Sequence, residues 1–149
     1  MFDRHHAVWP DRLPHHLPLP QTSLFTNLAI SALRYPARDA LIYYDTPLTY
    51  AELERQVASF AHALRDMGVV SGDRVVSYLP NVPEAIVAFL ACASLGAIWS
   101  SCSPDFGFNG VLDRFGQIQP KVLIATDGYT WNGKPIDTRE RVAQISGAI

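Results

Sequence analysis

The stretch RVVSYLPNVPEAIVAFLACASLGAIWSS, Arg74 to Ser101, decides the fold. It opens with a short apolar run, Arg74 to Pro80, that reads as a strand. A helix is expected from Pro83 to Leu95, capped near Asn81 and closed by Gly96. A second apolar strand follows from Ala97 to Ser101. Both strands are apolar on both faces, as a sheet covered by helices on each side requires. Strand, helix, strand in this order is one parallel crossover unit.

The rhythm continues toward the C-terminus. Val111 to Gln119 reads as a short helix stopped by Pro120, and KVLIA, Lys121 to Ala125, as a third strand. Asp137 to Glu140 has the spacing of a capping box ahead of another helix. The expected fold class is therefore α/β: a partial, mostly parallel sheet with crossover helices. Three parallel strands leave two open edges, so the sheet is expected to be incomplete, the front portion of something larger.

Toward the N-terminus the signals are local. TYAE, Thr49 to Glu52, is a capping box. Leu53, Val57, Phe60, Ala61, Leu64 and Met67 then recur at helical spacing, and Gly68 closes the helix. Ala40 to Tyr44 is a strand candidate. Asp45, Thr46 and Pro47 are expected to turn the chain so that Leu48 to Tyr50 pair back as a hairpin. Ser23 caps a helix carrying Leu24, Phe25, Leu28 and Leu33, which Pro36 stops. Residues 1–20 hold Pro10, Pro14, Pro18 and Pro20 and read as an extended arm lying on something else. The organisation is thus an arm over 1–20 and part of one α/β domain over 21–149.

Composition narrows the class. The chain has 149 residues, of which 48% are hydrophobic and 17% charged, enough for a core. Its net charge of −2 leaves no basic footprint for nucleic acid. Cys92 and Cys102 are too few for a disulfide scaffold, and a reducing cytoplasm is the natural setting. Asp3, Arg4, His5 and His6 interrupt any signal-peptide core. Ala85 to Pro104 is uncharged, but Gly96 breaks it and its end is polar. A buried helix followed by a buried strand is expected there, and no membrane span.

Ser101, Cys102 and Ser103 stand where a strand leaves a parallel sheet, the end at which ligands bind. A nucleophile there would need a base, yet no G-x-S-x-G elbow is present and His62 lies mid-helix. No catalytic residue is expected. Two readings stand: small residues that let the chain turn close to a ligand, or plain packing. The His5–His6 and His15–His16 pairs could hold a metal, but a solvated arm is the simpler reading. Asp73, Glu84, Asp105 and Asp113 show no acid/base spacing. Asp73 suits turn amides and Glu84 the first turn of a helix. Neither G-x-G-x-x-G nor G-x-x-x-x-G-K-[ST] occurs. In WNGK, Trp131 to Lys134, Asn132–Gly133 marks a turn. Lys134 is either a point charge for a phosphate or a solvated lysine.

Several motifs carry a family resemblance. LTYAEL (Leu48 to Leu53), GDRV (Gly72 to Val75), YLPNVPEA (Tyr78 to Ala85) and LGAIWS (Leu95 to Ser100) resemble the N-terminal region of the acyl-adenylate-forming family of AMP-dependent synthetases and ligases. SCSPDFG (Ser101 to Gly107), VLDRFGQI (Val111 to Ile118), PKVL (Pro120 to Leu123), and DGY (Asp127 to Tyr129) followed by NGK are narrower. Over residues 48–145 they resemble the acetoacetate–CoA ligase branch. Thr22 to Asn27 and Ala40 to Tyr50 resemble the fatty-acid–CoA ligases instead.

The resemblance implies the N-terminal part of a synthetase large domain. It also implies a two-step reaction in which a carboxylate, ATP, Mg²⁺ and CoA give acyl-CoA, AMP and pyrophosphate. The family's phosphate loop, its later acidic and arginine motifs and its C-terminal lysine have no match in these residues. The chain by itself is therefore expected not to form an adenylate. What carries over is a CoA nucleotide site at Pro104, Asp105 and Phe106, then Trp131 and Lys134. Pro-Asp stands there for a common Gly-Gly, and Trp131 for arginine. The implied partners are a small carboxylate, CoA, and either the remaining part of such a chain or a second copy at the open sheet edges. The alternatives are a non-catalytic module that binds a CoA-like nucleotide or pairs with another chain, and a truncated product with no stable fold.

Overall fold

The computed structural model describes residues 3–149, with side chains from His6 onward. Helix α1 (Leu24–Arg34) leads into a hairpin of β1 (Asp39–Tyr43) and β2 (Thr46–Thr49), and α2 (Tyr50–Asp66) follows. Then come β3 (Arg74–Tyr78), α3 (Pro83–Leu95), β4 (Ile98–Cys102), α4 (Phe108–Phe115) and β5 (Val122–Ala125). A second hairpin, β6 (Gly128–Trp131) and β7 (Lys134–Asp137), precedes α5 (Arg139–Ser146).

The main sheet runs β4-β3-β5 and is parallel throughout, with Val75 level with Trp99 on one side and Val122 on the other. Side chains alternate along the central strand. Val75 joins Leu28, Leu53, Val57, Leu64, Ala91 and Cys92 in the core against α1, α2 and α3. Val76 and Tyr78 join Cys102, Val111, Phe115 and Ile145 in a second core under α4 and α5. The result is three layers with β3 buried on both faces.

Local chemistry explains the helix ends. Thr49 and Glu52 form the expected box: the Glu52 amide donates to Thr49 Oγ1 (3.3 Å) and the Thr49 amide to Glu52 Oε2 (3.0 Å). Ser23 Oγ accepts from the Thr26 amide, as expected of its cap. Gly96 closes α3 in the left-handed region, φ +68°, the conformation that favours glycine there.

Other expectations give way. The first hairpin turns at Tyr44–Asp45, both at positive φ, and not at Asp45 to Pro47. Pro47 pairs with Ile42 inside β2, which a two-stranded edge tolerates because proline's missing N–H can face outward. The cap of α3 is Val82 and not Asn81, with Pro83 opening the helix. Helix α4 begins at Phe108 and ends at Phe115, earlier than the Val111 to Gln119 span expected. The capping box at Asp137 does not form. The Asp137 carboxylate instead takes the Arg139 amide (2.9 Å) and guanidinium, while the buried Thr138 hydroxyl donates to the Thr126 carbonyl. The front half of the arm is not extended either. Asp3–Val8 is a 3-10 helix, and the His6 ring stacks on His15 at 4.1 Å.

One long-range clamp closes the sheet's lower end. Lys121 Nζ donates to Asp73 Oδ2 (2.8 Å) and to the Gly68 carbonyl, while Asp73 accepts the Val70 amide (2.9 Å). The Lys121 hydrogen bond, then the Val70 amide, holds the Asp73 carboxyl below the usual aspartate range. A depressed pKa means that the unfolded chain binds the proton more readily. The clamp's stabilisation is therefore present at neutral pH and lost as pH falls from the ordinary aspartate range through the lowered one. Asp73→Asn is expected to flatten that acid limb of the unfolding free energy, measured by urea titration at several pH values. An unchanged limb would remove the clamp from the account.

Candidate functional site

Strands β3, β4 and β5 end level with one another, at Tyr78, Cys102 and Ala125. Past these carboxyl ends the loops 79–82 and 103–105 and the β6 strand wall a groove of about 940 Å³, which Tyr43 and Tyr44 of the first hairpin also line. Parallel α/β sheets bind ligands at this end.

The floor is fixed by one hydroxyl. Tyr78 is fully buried, and a buried phenol requires a hydrogen-bond partner. Its Oη lies 2.7 Å from the Pro104 carbonyl and 2.9 Å from that of Phe106, so its single proton is shared between them. Arg141 of α5 donates to the same Oη and to the Pro104 carbonyl, both at 3.1 Å. The loop is tied from above as well. Ser103 Oγ donates to Asp105 Oδ2 (3.0 Å) and Tyr129 Oη to Asp105 Oδ1 (2.9 Å). Burial and then the Asp105 carboxylate push the Tyr129 phenol up, so it remains a donor at neutral pH.

Of the five residues expected at a nucleotide site, Pro104, Asp105 and Trp131 line the groove together. Phe106 and Lys134 do not. The Phe106 ring lies under the Arg114 guanidinium, 4.6 Å from ring centroid to charge. Lys134 sits opposite Trp131 across the Asn132–Gly133 turn, at the hairpin tip beyond the groove's lining. Sequence reasoning missed Tyr43, Tyr44, Tyr129 and Arg141. Tyr78 had a usable signal: by alternation it shares the inward face of Val76, and a tyrosine there must find a partner.

Cysteine chemistry is disfavoured. Burial pushes the Cys92 thiol up to about 11 and raises Cys102 as well, so both stay protonated at neutral pH. The His62 ring bonds the Ala58 carbonyl on its own helix, away from Ser103. His6, His15 and His16 lie close together in the arm, while the His5 side chain falls outside the described residues. Among the described residues no group of three or more His, Cys, Asp or Glu could hold a metal.

The groove does not suit a magnesium-bound triphosphate. Its lining includes Glu84 and Asp105 but no lysine or arginine, and both Asp105 oxygens already accept hydrogen bonds. No step through ATP or Mg²⁺ is assigned to these residues. Aromatic walls suit a planar base or a slender chain instead. Among the described residues no helix is long and apolar enough to cross a membrane.

Tyr78→Phe leaves Arg141 and two loop carbonyls short of a partner. It is expected to lower unfolding free energy by about 1–3 kcal/mol, read from denaturant midpoints. A midpoint equal to that of the unsubstituted chain would show that the hydroxyl does not hold the loop.

Residues 28–147 match the model of the AMP-binding enzyme family. The chain is 48% identical over 127 residues to acetoacetyl-CoA synthetase of Macaca fascicularis, covering 80% of this chain and 19% of that protein. It is 49% identical over 118 residues to acetoacetyl-coenzyme A synthetase of Rhizobium meliloti, covering 79% and 18%. Acetoacetyl-CoA synthetase from Streptomyces lividans superposes with a TM-score of 0.81 at 45% identity, covering 91% of this chain and 22% of that one. VinN superposes with a TM-score of 0.73 at 21% identity, covering 86% and 30%, a likeness of fold alone. Coverage of 91% takes in part of the stretch ahead of Leu48, so the likeness is wider than residues 48–145. The chain spans about a fifth of the length of the curated relatives it matches. The chain belongs to the AMP-binding enzyme family.

Proposed function

We propose that the chain forms the N-terminal part of an ATP-dependent acyl-CoA ligase acting on a small carboxylate, acetoacetate first among them. In that reaction a carboxylate oxygen attacks the α-phosphorus of ATP and expels pyrophosphate. The CoA thiol then attacks the acyl carbon and expels AMP. The observation that supports this reading is 48% identity to an acetoacetyl-CoA synthetase across 80% of the chain.

These residues take no part in bond making. They furnish one wall of the site that receives the CoA nucleotide. Trp131, 63% exposed at the groove, offers a face on which an adenine stacks, and Lys134 opposite it in register offers a point charge for a phosphate. Asp105, held by Ser103 and Tyr129, and Pro104, held by Tyr78 and Arg141, keep the facing loop still. Triphosphate and Mg²⁺ belong to parts of such an enzyme outside these residues. Two buried free thiols suit a reducing cytoplasm.

The chain alone is expected to release no carboxylate-dependent AMP from ATP, Mg²⁺ and CoA, whether the acid is acetate, acetoacetate, octanoate or palmitate. CoA is expected to raise its melting temperature by linkage. Trp131→Ala is expected to weaken CoA by about 1–3 kcal/mol, roughly 5- to 150-fold, as for lost base stacking. Clear turnover by the chain would contradict the division of labour. Melting unmoved by millimolar CoA would contradict the nucleotide wall.

A further inference from the structure

Ser77 of β3 is 1% exposed, and its Oγ has no hydrogen-bond partner. Among the described residues no other buried side-chain polar group is left so. Buried hydroxyls ordinarily find a partner, so an orphan calls for an explanation. By alternation Ser77 shares the face of Val75, toward α3, and it lies level with Ser101 of β4. Beside it opens a recess of about 330 Å³, lined by Ser77, Asn81, Ile86, Phe89, Trp99 and Ser101 among others. Among the described residues no charged side chain lines it. The larger groove differs in carrying Glu84 and Asp105, although Leu79 to Asn81 border both spaces.

The lining selects by exclusion. A phosphate, carboxylate or ammonium would leave water for walls without an opposite charge, a cost that nothing there offsets. The ligand is therefore neutral. Ser77 Oγ can donate one hydrogen bond or accept one, and a second hydroxyl answers it either way. The rings of Phe89 and Trp99 stand 6.3 Å apart, tilted by 50°, and both residues are half-buried. Ring surface is thus left for a third ring in the tilted or offset contact that aromatic groups favour. Water would answer the hydroxyl and leave both rings bare. The volume is at the small end for a ligand pocket and suits one ring with few substituents.

We propose that the recess between α3 and β4 is a binding site for a small neutral phenol, its ring against Phe89 and Trp99 and its hydroxyl paired with Ser77 Oγ. The site is separate from the wall offered to the CoA nucleotide, and it does not depend on the ligase reading. Its ligand carries no phosphate and takes no part in acyl transfer.

The test is an NMR titration of the isotope-labelled 149-residue chain with p-cresol, toluene and p-toluate, which share a methylated ring and differ in the polar group. The indole N–H signals of Trp9, Trp99 and Trp131, assigned with Trp9→Phe and Trp131→Phe, report where each probe sits. P-cresol is expected to move Trp99 and the Ser77 amide together on one saturating curve. Toluene is expected to bind about three- to tenfold more weakly, for want of one hydrogen bond. P-toluate is expected to bind at least about tenfold more weakly, because its charge goes unpaired. Ser77→Ala is expected to bring p-cresol down to the affinity of toluene and to leave toluene unchanged. The substitution removes an unpaired hydroxyl, so the unfolding midpoint is expected to hold or rise. Trp99 unmoved by millimolar p-cresol would overturn the proposal. So would movement of Trp131 in its place, which would put the phenol in the larger groove. Equal affinities for the three probes would overturn it too, and that series needs no variant. P-cresol affinity unchanged in Ser77→Ala would overturn the pairing with Ser77 and the proposal with it. Displacement of p-cresol from Trp99 by CoA would make the recess part of the nucleotide site and overturn its separateness. None of these readouts needs turnover.

Discussion

The burial of β3 on both faces is the constraint on which the other features depend. A parallel strand in the middle of a sheet has no solvent side, so its residues must alternate between two cores. Val75 faces α2 and α3; Val76 and Tyr78 face α4 and α5. Helices on both sides follow from that division, as does the apolar character of α3. Its small residues Ala88, Ala91 and Cys92 are buried, while its half-exposed Phe89 sits toward Trp99 and the outer strand.

The same alternation builds the candidate site. Tyr78 is the last residue of β3 and points inward, so its hydroxyl must be satisfied within the protein. It is satisfied by the loop that follows β4 and by Arg141, 63 residues further along the chain. The small residues at the end of β4 thus serve separate ends. Cys102 packs in the second core, Ser103 anchors Asp105, and Ser101 faces the cavity beside α3.

Much of this was legible in the sequence where the cause is local. The crossover unit, the Thr49–Glu52 box and the Asn132–Gly133 turn each depend on a few adjacent residues, and each is present. Errors arose where two local rules compete. Pro47 and Thr46 read as turn residues, yet Tyr44–Asp45 makes the tighter two-residue turn and leaves Pro47 in an edge strand. Asp137 read as a cap, yet Arg139 takes its carboxylate. The hairpin β6–β7 went unread as strands because its four-residue arms carry little alternation. Phe106 and Lys134 lie outside the groove that Pro104, Asp105 and Trp131 line, a separation set by three-dimensional geometry and not by neighbouring residues.

Native-state hydrogen exchange on the 149-residue chain tests the central claim most directly. If β3 is the doubly buried centre, the amides of Val75 to Tyr78 exchange only through global unfolding, as slowly as any in the molecule, while those of residues 9–20 exchange at once. If Val75 to Tyr78 exchange as fast as the arm, these residues do not hold the sheet together by themselves, and the account of the fold fails.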